Sequence, residues 1–557
     1  MNLRTHFISA CAALCATPVM ADRVLPSISS RTTPTAIGRP QNIPSDAELT
    51  TAQATIGKVT LRTRDLFDTS LPYENTSLFR AANRLHIQTR DSTVRKQLLF
   101  KTGDRYQGRL LEESERLLRA TRYLLDAQIE PVAFHDGVVD IEVVTQDVWT
   151  FNPGVSFGRK GGVSTSGFEL EELNLLGLGT QLGVGFKSGV DRTSKILSYR
   201  DRQLGSSWWD LSARYSDNSD GRLGEFLLER PFYALDTHNA GGIAFHDDRR
   251  IDSRYDLGQM VDQYETSAHF ARVYWGHSTG LHEGWVTRWS YGVTWDELKF
   301  GPAPGTVGAQ LIPPDRKLTY PWIAAELIQD DYRTARNRDK IEKTEDYSLG
   351  WRARAQIGYA SEALASDRNA MTFDSTLSRG LALSERQTLL LDAHASGRLE
   401  GSNLAGTVLG AEARYYFQQS RHRLLFMNFV ADSGTNLDLD QQILLGGDNG
   451  LRGYPLRYQA GTGRWLFTAE QRFFSNWYPF RLFNVGGAVF YDMGRTGGRD
   501  PLGAPSQGLL KDVGFGLRLG GNRSAQGNVL HIDVAFPLDG DSSIRNVQFL
   551  LETKHSF

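Results

Sequence analysis

Cysteine is almost absent from this chain, which has two among its 557 residues, Cys11 and Cys15. Both lie in an N-terminal stretch in which Arg4 precedes an apolar run and small residues follow, the pattern of an export signal peptide. We expect residues 1–21 to be removed after Ala21, so that the exported chain has no cysteine. That excludes a disulfide framework, a cysteine–zinc site and a thiol nucleophile.

An excess of charge of one sign is also missing. Lys and Arg total 62 while Asp and Glu total 64, a balance that argues against a nucleic-acid partner. Mean hydropathy is −0.37, and beyond the N-terminus no apolar run reaches the ~20 residues of a membrane helix. The chain contains no Gly-x-Ser-x-Gly, His-Glu-x-x-His or Walker motif, and its 12 histidines show no ligand spacing. We therefore expect a protein that is not an enzyme and holds no cofactor or metal.

Residues 22–54 are rich in Pro, Ser, Thr and Ala without an apolar period, which predicts a flexible linker. Residues 55–151 then show a mixed α+β pattern in the order β-α-α-β-β. The predicted elements are a strand at 56–62, a short helical insertion at 79–84, helices at 93–100 and 110–118, and strands at 127–134 and 138–144. Asp136-Gly137, between the last two strands, is a strong hairpin signal.

From residue 152 to residue 557 the pattern changes to short stretches of period two, separated by turn residues. Leu530, Ile532 and Val534 share one face of such a stretch, while His531 and Asp533 share the other. A soluble β-sandwich and a transmembrane barrel both alternate in this way. Export, ~400 residues without a helical period and a terminal aromatic residue favour the barrel, whose length suits about 16 strands. Long polar stretches, such as residues 330–345, fit extracellular loops or solvated strands.

Short motifs that follow one another along this region carry a family resemblance. They are Leu451-Arg452-Gly453-Tyr454, Phe490-Tyr491-Asp492-Met493-Gly494, Gly514-Phe515-Gly516-Leu517-Arg518, and a terminal strand with Phe549, Leu551 and Phe557. Together they resemble the motifs of the outer-membrane assembly and translocation barrels, the superfamily of BamA, TamA and the two-partner-secretion transporters. The resemblance covers nearly all of residues 55–557. It implies one periplasmic POTRA domain at 55–151, fewer than these relatives have, and an outer-membrane barrel at 152–557.

The alternation also assigns side chains to the two faces of the barrel. Alternation along the predicted strands indicates that Glu470, Phe490 and Asp492 face the lumen. In the family that the chain resembles, the arginine of the loop-six motif lies inside the barrel against such groups. The resemblance therefore implies a latch, residues 451–454, in which Arg452 pairs with Glu470 and Asp492 and lies on the ring of Phe490. Separate contacts of each residue with lumen water are the alternative.

These expectations combine into a non-enzymatic translocase or insertase in the outer membrane of a Gram-negative bacterium. It would capture strands of unfolded periplasmic client proteins at a POTRA edge, residues 127–134 or 56–62, by β-augmentation. It would open laterally between its first and last strands, near residues 154–158 and 547–557, a seam that includes Phe549, Leu551 and Phe557. Its partners would be outer-membrane lipid, the clients and possible periplasmic or lipoprotein accessories, but no nucleic acid.

Three other functions stay open. A two-partner-secretion transporter would pass one secreted exoprotein through the lumen, but that group typically has a plug helix and two POTRA domains. A passive porin-like channel needs neither a POTRA domain nor the arginine. A barrel lipase would need a serine and a histidine together on one outward face, and no such pair can be placed.

Overall fold

The computed structural model of the chain describes residues 39–305, 311–498, 508–521, 523–525, 528–542 and 544–554, without the side chain of Val155. The predicted signal peptide, the first part of the predicted linker and Phe557 lie outside these residues. Among the described residues, no helix is both long enough and apolar enough to cross a membrane.

The N-terminal part is an α+β unit built on a three-stranded sheet. Its elements are α1 (Asp46–Thr51), β1 (Thr55–Arg64), α2 (Ser77–Leu85), α3 (Asp91–Arg95), α4 (Gly108–Arg119), β2 (Leu124–His135) and β3 (Val138–Asp147). The strand order is β1-β3-β2, with β1 parallel and β2 antiparallel to the central strand. Leu118 of α4 packs with Ile56, Ile129 and Ile141 of the sheet in one apolar core.

Two predictions for this unit differ from the structure. Residues 39–54, assigned to a flexible linker, include α1, which Ser45 and Glu48 close with a reciprocal capping box. Leu49 of this helix is fully buried in the core of the unit, so the packed part begins before residue 55. The helix expected at 93–100 is α3, which ends at Arg95.

The rest of the chain forms strands almost throughout. They are β4 (Phe151–Lys160), β5 (Val163–Leu175), β6 (Thr180–Ser188), β7 (Thr193–Asp201), β8 (Asp210–Asn218), β9 (Gly221–Arg230), β10 (Asn239–Asp256), β11 (Gln259–His282), β12 (Trp285–Pro302), β13 (Arg316–Gln329), β14 (Tyr332–Arg336), β15 (Thr344–Ser348), β16 (Arg352–Ala360), β17 (Ala370–Ser384), β18 (Gln387–Glu400), β19 (Asn403–Ser420), β20 (Arg423–Thr435), β21 (Ile443–Leu445), β22 (Gln459–Gly461), β23 (Gly463–Phe474), β24 (Phe483–Gly497), β25 (Leu510–Gly521), β26 (Val529–Pro537) and β27 (Gln548–Lys554). Two separate hairpins, β14–β15 and β21–β22, stand apart from the wall.

The remaining strands close into one antiparallel barrel of 20 strands, in which β27 meets β4. A mainly β chain with a closed barrel confirms the predicted fold class, but the predicted count of about 16 strands is wrong. Several connections at one end are two-residue turns, such as residues 161–162, 257–258 and 401–402. Because so little chain is spent on these turns, more strands fit into the same length.

The wall is apolar outside and polar inside. Val184, Val273, Ile323 and Ile357 point outward and are 46–53% exposed. Residues of the opposite parity, such as Arg472, are buried in the interior. This is the pattern expected when successive side chains of a strand face lipid and a wet lumen in turn.

The α+β unit lies against one end of the barrel, which we call the proximal end. The Leu235 N–H, in the turn before β10, donates to the Glu113 carboxylate of α4 at 2.7 Å. The Asn174 side chain, at the end of β5, donates to the Thr89 hydroxyl at 2.8 Å. Arg523, in the turn after β25, pairs with Glu74 at 2.9 Å. Turns on several sides of the barrel therefore hold the unit beneath its proximal mouth.

The connection from β13 to β16 lies across this mouth, and we call residues 330–350 the strap. Ile341, at the tip of its hairpin, packs with Leu424, Phe474 and Val529 on distant wall strands. Residues 330–345, expected to form an extracellular loop or solvated strands, pack across this mouth. Ile341 is 1% exposed, whereas Arg333 and Thr334 of β14 stay exposed. The connection runs at the proximal end, between a strand that descends to the α+β unit and one that leaves it.

Candidate functional site

The site is built on a long connection that folds into the lumen from the distal end of the barrel. This latch loop, residues 436–462, joins β20 to β23 and is braced by the β21–β22 hairpin. Gly447 lies so close to the Tyr454 carbonyl that an added Cβ would overlap it, and Gly450 has a φ of 125°. Glycine is needed at both positions, for space at the first and for its conformation at the second.

The latch loop is the eighth distal connection, although the motif it carries resembles one named for a sixth loop. Five wall strands follow it, from β23 to β27. Because 15 wall strands precede it, the loop comes eighth in the order of distal connections.

Arg452 extends from this loop into a ring of inward side chains. Its Nε and Nη2 donate to the two carboxylate oxygens of Asp492 at 2.7 and 2.8 Å. Its Nη1 donates to Glu470 at 2.6 Å, and the guanidinium lies 3.4 Å from the centre of the Phe490 ring. The structure therefore brings together all four residues that the sequence analysis grouped. Hydrogen bonds to charged groups contribute about 1.5–3 kcal/mol each, and the fork of arginine fixes their geometry.

Asp512 belongs to the same site and was not foreseen. The Gly453 N–H donates to its carboxylate at 3.0 Å, and an added Cβ at Gly453 would lie 2.7 Å from the Asp512 Cβ. Asp512 is fully buried and stands opposite Asp492 on the neighbouring strand. Glycine at position 453 thus lets the loop backbone bind a carboxylate directly, while Arg452 supplies the charge that two adjacent acids require.

The Gly514–Arg518 motif has a steric role beside the latch. An added Cβ at Gly514 would overlap the Phe490 ring, and one at Gly516 would overlap the Asp533 carboxylate. Two glycines therefore make room for the ring that supports Arg452 and for an acid on β26. Arg518 pairs with Asp533 and lies 4.0 Å from Glu470, which extends the charged network across the wall.

The flanking residues of the latch hold the loop in place by burial. Leu451 is fully buried with Leu445, Leu466 and Leu510 in one apolar cluster. Tyr454 is also fully buried, and its hydroxyl donates to the Lys511 carbonyl oxygen at 2.8 Å. The arginine pairing is thus flanked by an apolar anchor on one side and a satisfied tyrosine on the other.

The seam between β4 and β27 is the weakest joint that the structure describes in the wall. Within the described residues it aligns one pair, Leu551 opposite Arg159, where β26 and β27 align seven and β4 and β5 align ten. Phe549 points outward and is 62% exposed, and Phe557 lies outside the described residues. Between residues 151–160 and 548–554 the structure therefore shows no regular ladder of backbone hydrogen bonds beyond this pair.

One lysine connects the seam to the latch loop. Lys160, at the distal end of β4, pairs with Glu552 of β27 at 2.8 Å. Its Nζ also donates to the Asp448 carbonyl oxygen in the latch loop at 3.0 Å. Sequence reasoning missed this contact, because the pattern of a single strand does not identify a partner 392 residues away. Asp512 also points inward, and no motif in the sequence marks it as a partner of the latch.

The chain is similar in structure to several solved proteins. No protein-family model and no curated protein matches the chain. BamA from Haemophilus ducreyi, lacking POTRA domains 1–3, is 14% identical with a TM-score of 0.36, over 90% of this chain and 85% of that chain. CdiB from Acinetobacter baumannii is 13% identical with a TM-score of 0.40, over 90% and 74%. CdiB from Escherichia coli is 12% identical with a TM-score of 0.42, over 90% and 76%.

Proposed function

We propose that this chain is a non-enzymatic outer-membrane translocase or insertase for proteins. The outward apolar face supports a location in a membrane, and the predicted export signal supports the outer membrane of a Gram-negative bacterium. The proximal end and its α+β unit, in the role of a single POTRA domain, would face the periplasm. The partners would then be membrane lipid and unfolded client proteins, with possible periplasmic or lipoprotein accessories and without nucleic acid.

The observation that carries this proposal is the seam. With one aligned pair between residues 548–554 and residues 151–160, the described part of the joint offers backbone donors and acceptors without a regular partner there. In a membrane each unsatisfied group costs several kcal/mol, so a client strand that pairs there would gain the hydrogen bonds that the wall lacks. The latch would keep the rest of the barrel rigid while this joint opens, because Arg452 ties the distal loop to β23 and β24.

Client strands would first bind the α+β unit, and the contacts favour one of its two edges. On β2, the Ile129 N–H donates to Glu115 at 2.6 Å and the Ala127 carbonyl accepts from Arg119 at 3.0 Å. Pro131 on the same strand has no N–H to offer. The edge at residues 127–134 is therefore largely covered.

The edge formed by β1 is more open. Arg95 donates to the Val59 carbonyl oxygen at 3.2 Å, and β1 pairs with β3 on its other side. By alternation Leu61 and Thr63 present their backbone groups on the same side as Val59. In the described structure no strand lies beyond them. An extended client would add to the sheet here, at residues 61–63.

Photocrosslinking tests the capture step. A photoreactive residue at Arg62 on β1 should form adducts with barrel proteins in transit, while one at Glu130 on the covered β2 edge should form few. Similar adducts at both positions would contradict capture at β1. Adducts at Glu130 alone would move the site to the other edge.

Passage of one secreted exoprotein through the lumen is the second candidate, favoured by the connection that spans the mouth and could be displaced. Deletion of the gene, followed by proteomics of the outer membrane and the culture medium, separates the candidates. Loss of many barrels would support an insertase, and loss of one secreted protein would support two-partner secretion. An unchanged proteome would contradict both and favour a passive pore.

A further inference from the structure

The strap spans almost the whole width of the barrel. It leaves the wall between β13 and β16, which are strands 10 and 11 of the ring when β4 is counted as the first. Its tip residue, Ile341, reaches Val529 on β26, which is strand 19 of the 20. The five paired residues of each arm cover about 17 Å at the usual rise of a strand. The hairpin therefore lies across the proximal mouth instead of following its rim.

Charged and polar contacts hold the tip of the strap against the wall. Arg472 of β23 donates to the Arg338 carbonyl oxygen at 2.6 Å. Arg338 in turn donates to the Thr388 hydroxyl of β18 at 2.8 Å. The Tyr416 hydroxyl of β19 donates to Asp339 at 3.1 Å. Three wall strands thus fix two successive residues of the tip.

The α+β unit holds the strap from below. Arg119 of α4 donates to both carboxylate oxygens of Asp346, at 2.8 and 2.7 Å. The Thr344 hydroxyl donates to Asp126 of β2 at 3.2 Å. The strap is therefore clamped between the unit and the wall, and a movement of the unit away from the barrel would break the lower half of the clamp.

Part of the lumen is not filled. A cavity of about 630 Å³ lies along β5 to β11 and includes Glu171, Arg200 and Glu225 in its lining. Arg122 of the α+β unit also lines it and approaches Glu171 to 3.6 Å. A charged, hydrated space of this size lets ions and small solutes through wherever both of its ends are open.

The clamp also reaches the latch. Arg472, which holds the strap tip, donates to Glu470 at 2.9 Å, and Glu470 accepts from Arg452 at 2.6 Å. The strap, the wall and the latch loop are therefore joined by one run of charge-assisted contacts.

We propose that the strap is the gate of an aqueous path through the lumen, held shut by the α+β unit. Release of the Arg119–Asp346 pair lets the hairpin leave the mouth, and its polar groups are then rehydrated. The path opens to ions and small solutes when the unit moves, whatever client the barrel handles. This gate goes beyond the proposed function and does not rest on it.

A disulfide between the strap and the wall tests the gate. An ideal Cβ at Gly520 lies 3.1 Å from the Cβ of Ile341, a few tenths of an ångström inside the usual disulfide range. The full-length variant Ile341→Cys/Gly520→Cys, reconstituted in planar phospholipid bilayers, should show few openings when oxidised. Dithiothreitol should restore its open probability at least fivefold. Ile341→Cys alone is the control, and its current should not respond to the reductant.

A second variant keeps the test independent of the cross-link. Asp346→Asn removes the charge that Arg119 binds and should raise the open probability severalfold. Asp217→Asn is the matched control, because its partner Lys195 lies on the exposed outer face of the wall. The gate is refuted if the oxidised and reduced double variant conduct alike, or if the two Asp→Asn variants conduct alike. Neither result would bear on client binding or strand insertion, since no client is present.

Discussion

Replacing Arg452 by alanine tests whether the latch is held by its buried charge. The substitution removes three hydrogen bonds of 2.6–2.8 Å to Glu470 and Asp492. Glu470 keeps Arg472 as a partner at 2.9 Å. Asp492 loses both bonds from Arg452 and is left opposite the buried Asp512. The main cost therefore falls on one uncompensated carboxylate.

The expected magnitude follows from that cost. Three charge-assisted bonds would sum to about 4.5–9 kcal/mol if they were independent. They are not independent, and measured losses on removing one partner of a buried pair are about 3–5 kcal/mol. We expect the free energy of docking the latch loop to fall by about 3–5 kcal/mol in Arg452→Ala. The undocked population of the loop would then rise roughly a hundredfold to a few thousandfold.

Limited proteolysis of the reconstituted protein measures this population, because cleavage follows the open fraction when docking is fast. Arg457→Ala is the matched control, since it removes another arginine from the same loop. Arg457 pairs with Asp191 at 2.7 Å, but the Asp191 side chain is 39% exposed. Pairs of this kind contribute about 0.2–1 kcal/mol, so cleavage should change by no more than about fivefold.

Equal cleavage rates in Arg452→Ala and Arg457→Ala would refute the reasoning, because burial would then add nothing to the pairing. Adding Asp492→Asn to Arg452→Ala should recover part of the loss, since it removes the unpaired charge. A double variant as unstable as the single one would place the cost in lost packing on Phe490 instead.

Other changes probe the seam, the steric support of the latch and the strap. Lys160→Met removes the ion pair across the seam. Because both partners are about a quarter exposed, we expect the stability of the seam to fall by no more than about 1 kcal/mol. The measurement is hydrogen exchange, which should become faster only in β4 and β27. Gly514→Ala forces the Phe490 ring away from the Arg452 guanidinium. The free energy of unfolding, measured by thermal unfolding, should fall by about 1–3 kcal/mol. Gly497→Ala is the control and should leave it unchanged, because an added Cβ there meets nothing within 4 Å. Burial raises the pKa of Glu345 in the strap to about 7. The docked strap then binds more protons than the released one, so docking is strongest below about pH 4.5 and weakens as the pH rises through about 7. Hydrogen exchange of the strap should show this weakening. The variant Glu345→Gln should abolish the pH dependence.

The inner face of the barrel was predictable because the pleat of a strand fixes it. Once one residue of a stretch is known to face outward, every second residue does so too, which turned Glu470, Phe490 and Asp492 inward. Local rules of this kind act over a few residues, so they can be read from the chain.

The number of strands and the path of the strap were not predictable in this way. Both depend on where each turn lies relative to the two ends of the barrel, and two-residue turns such as 257–258 give a weak signal. The polar residues 330–345 are typical of solvated chain, yet most of them are partly buried because they bind one another, the wall and α4. Composition cannot distinguish water from a protein partner for the same polar group.

The contacts of the latch and the seam differ in how far apart their partners lie along the chain. Arg452 is 18 residues from Glu470 and 40 from Asp492, whereas Lys160 is 392 residues from Glu552. The entropic cost of closing a loop grows with its length, and structures dominated by distant contacts form slowly. We therefore expect β20 to β26 to assemble around Arg452 as an early C-terminal unit. Joining the first strand to the last would then be the final event in the formation of the barrel.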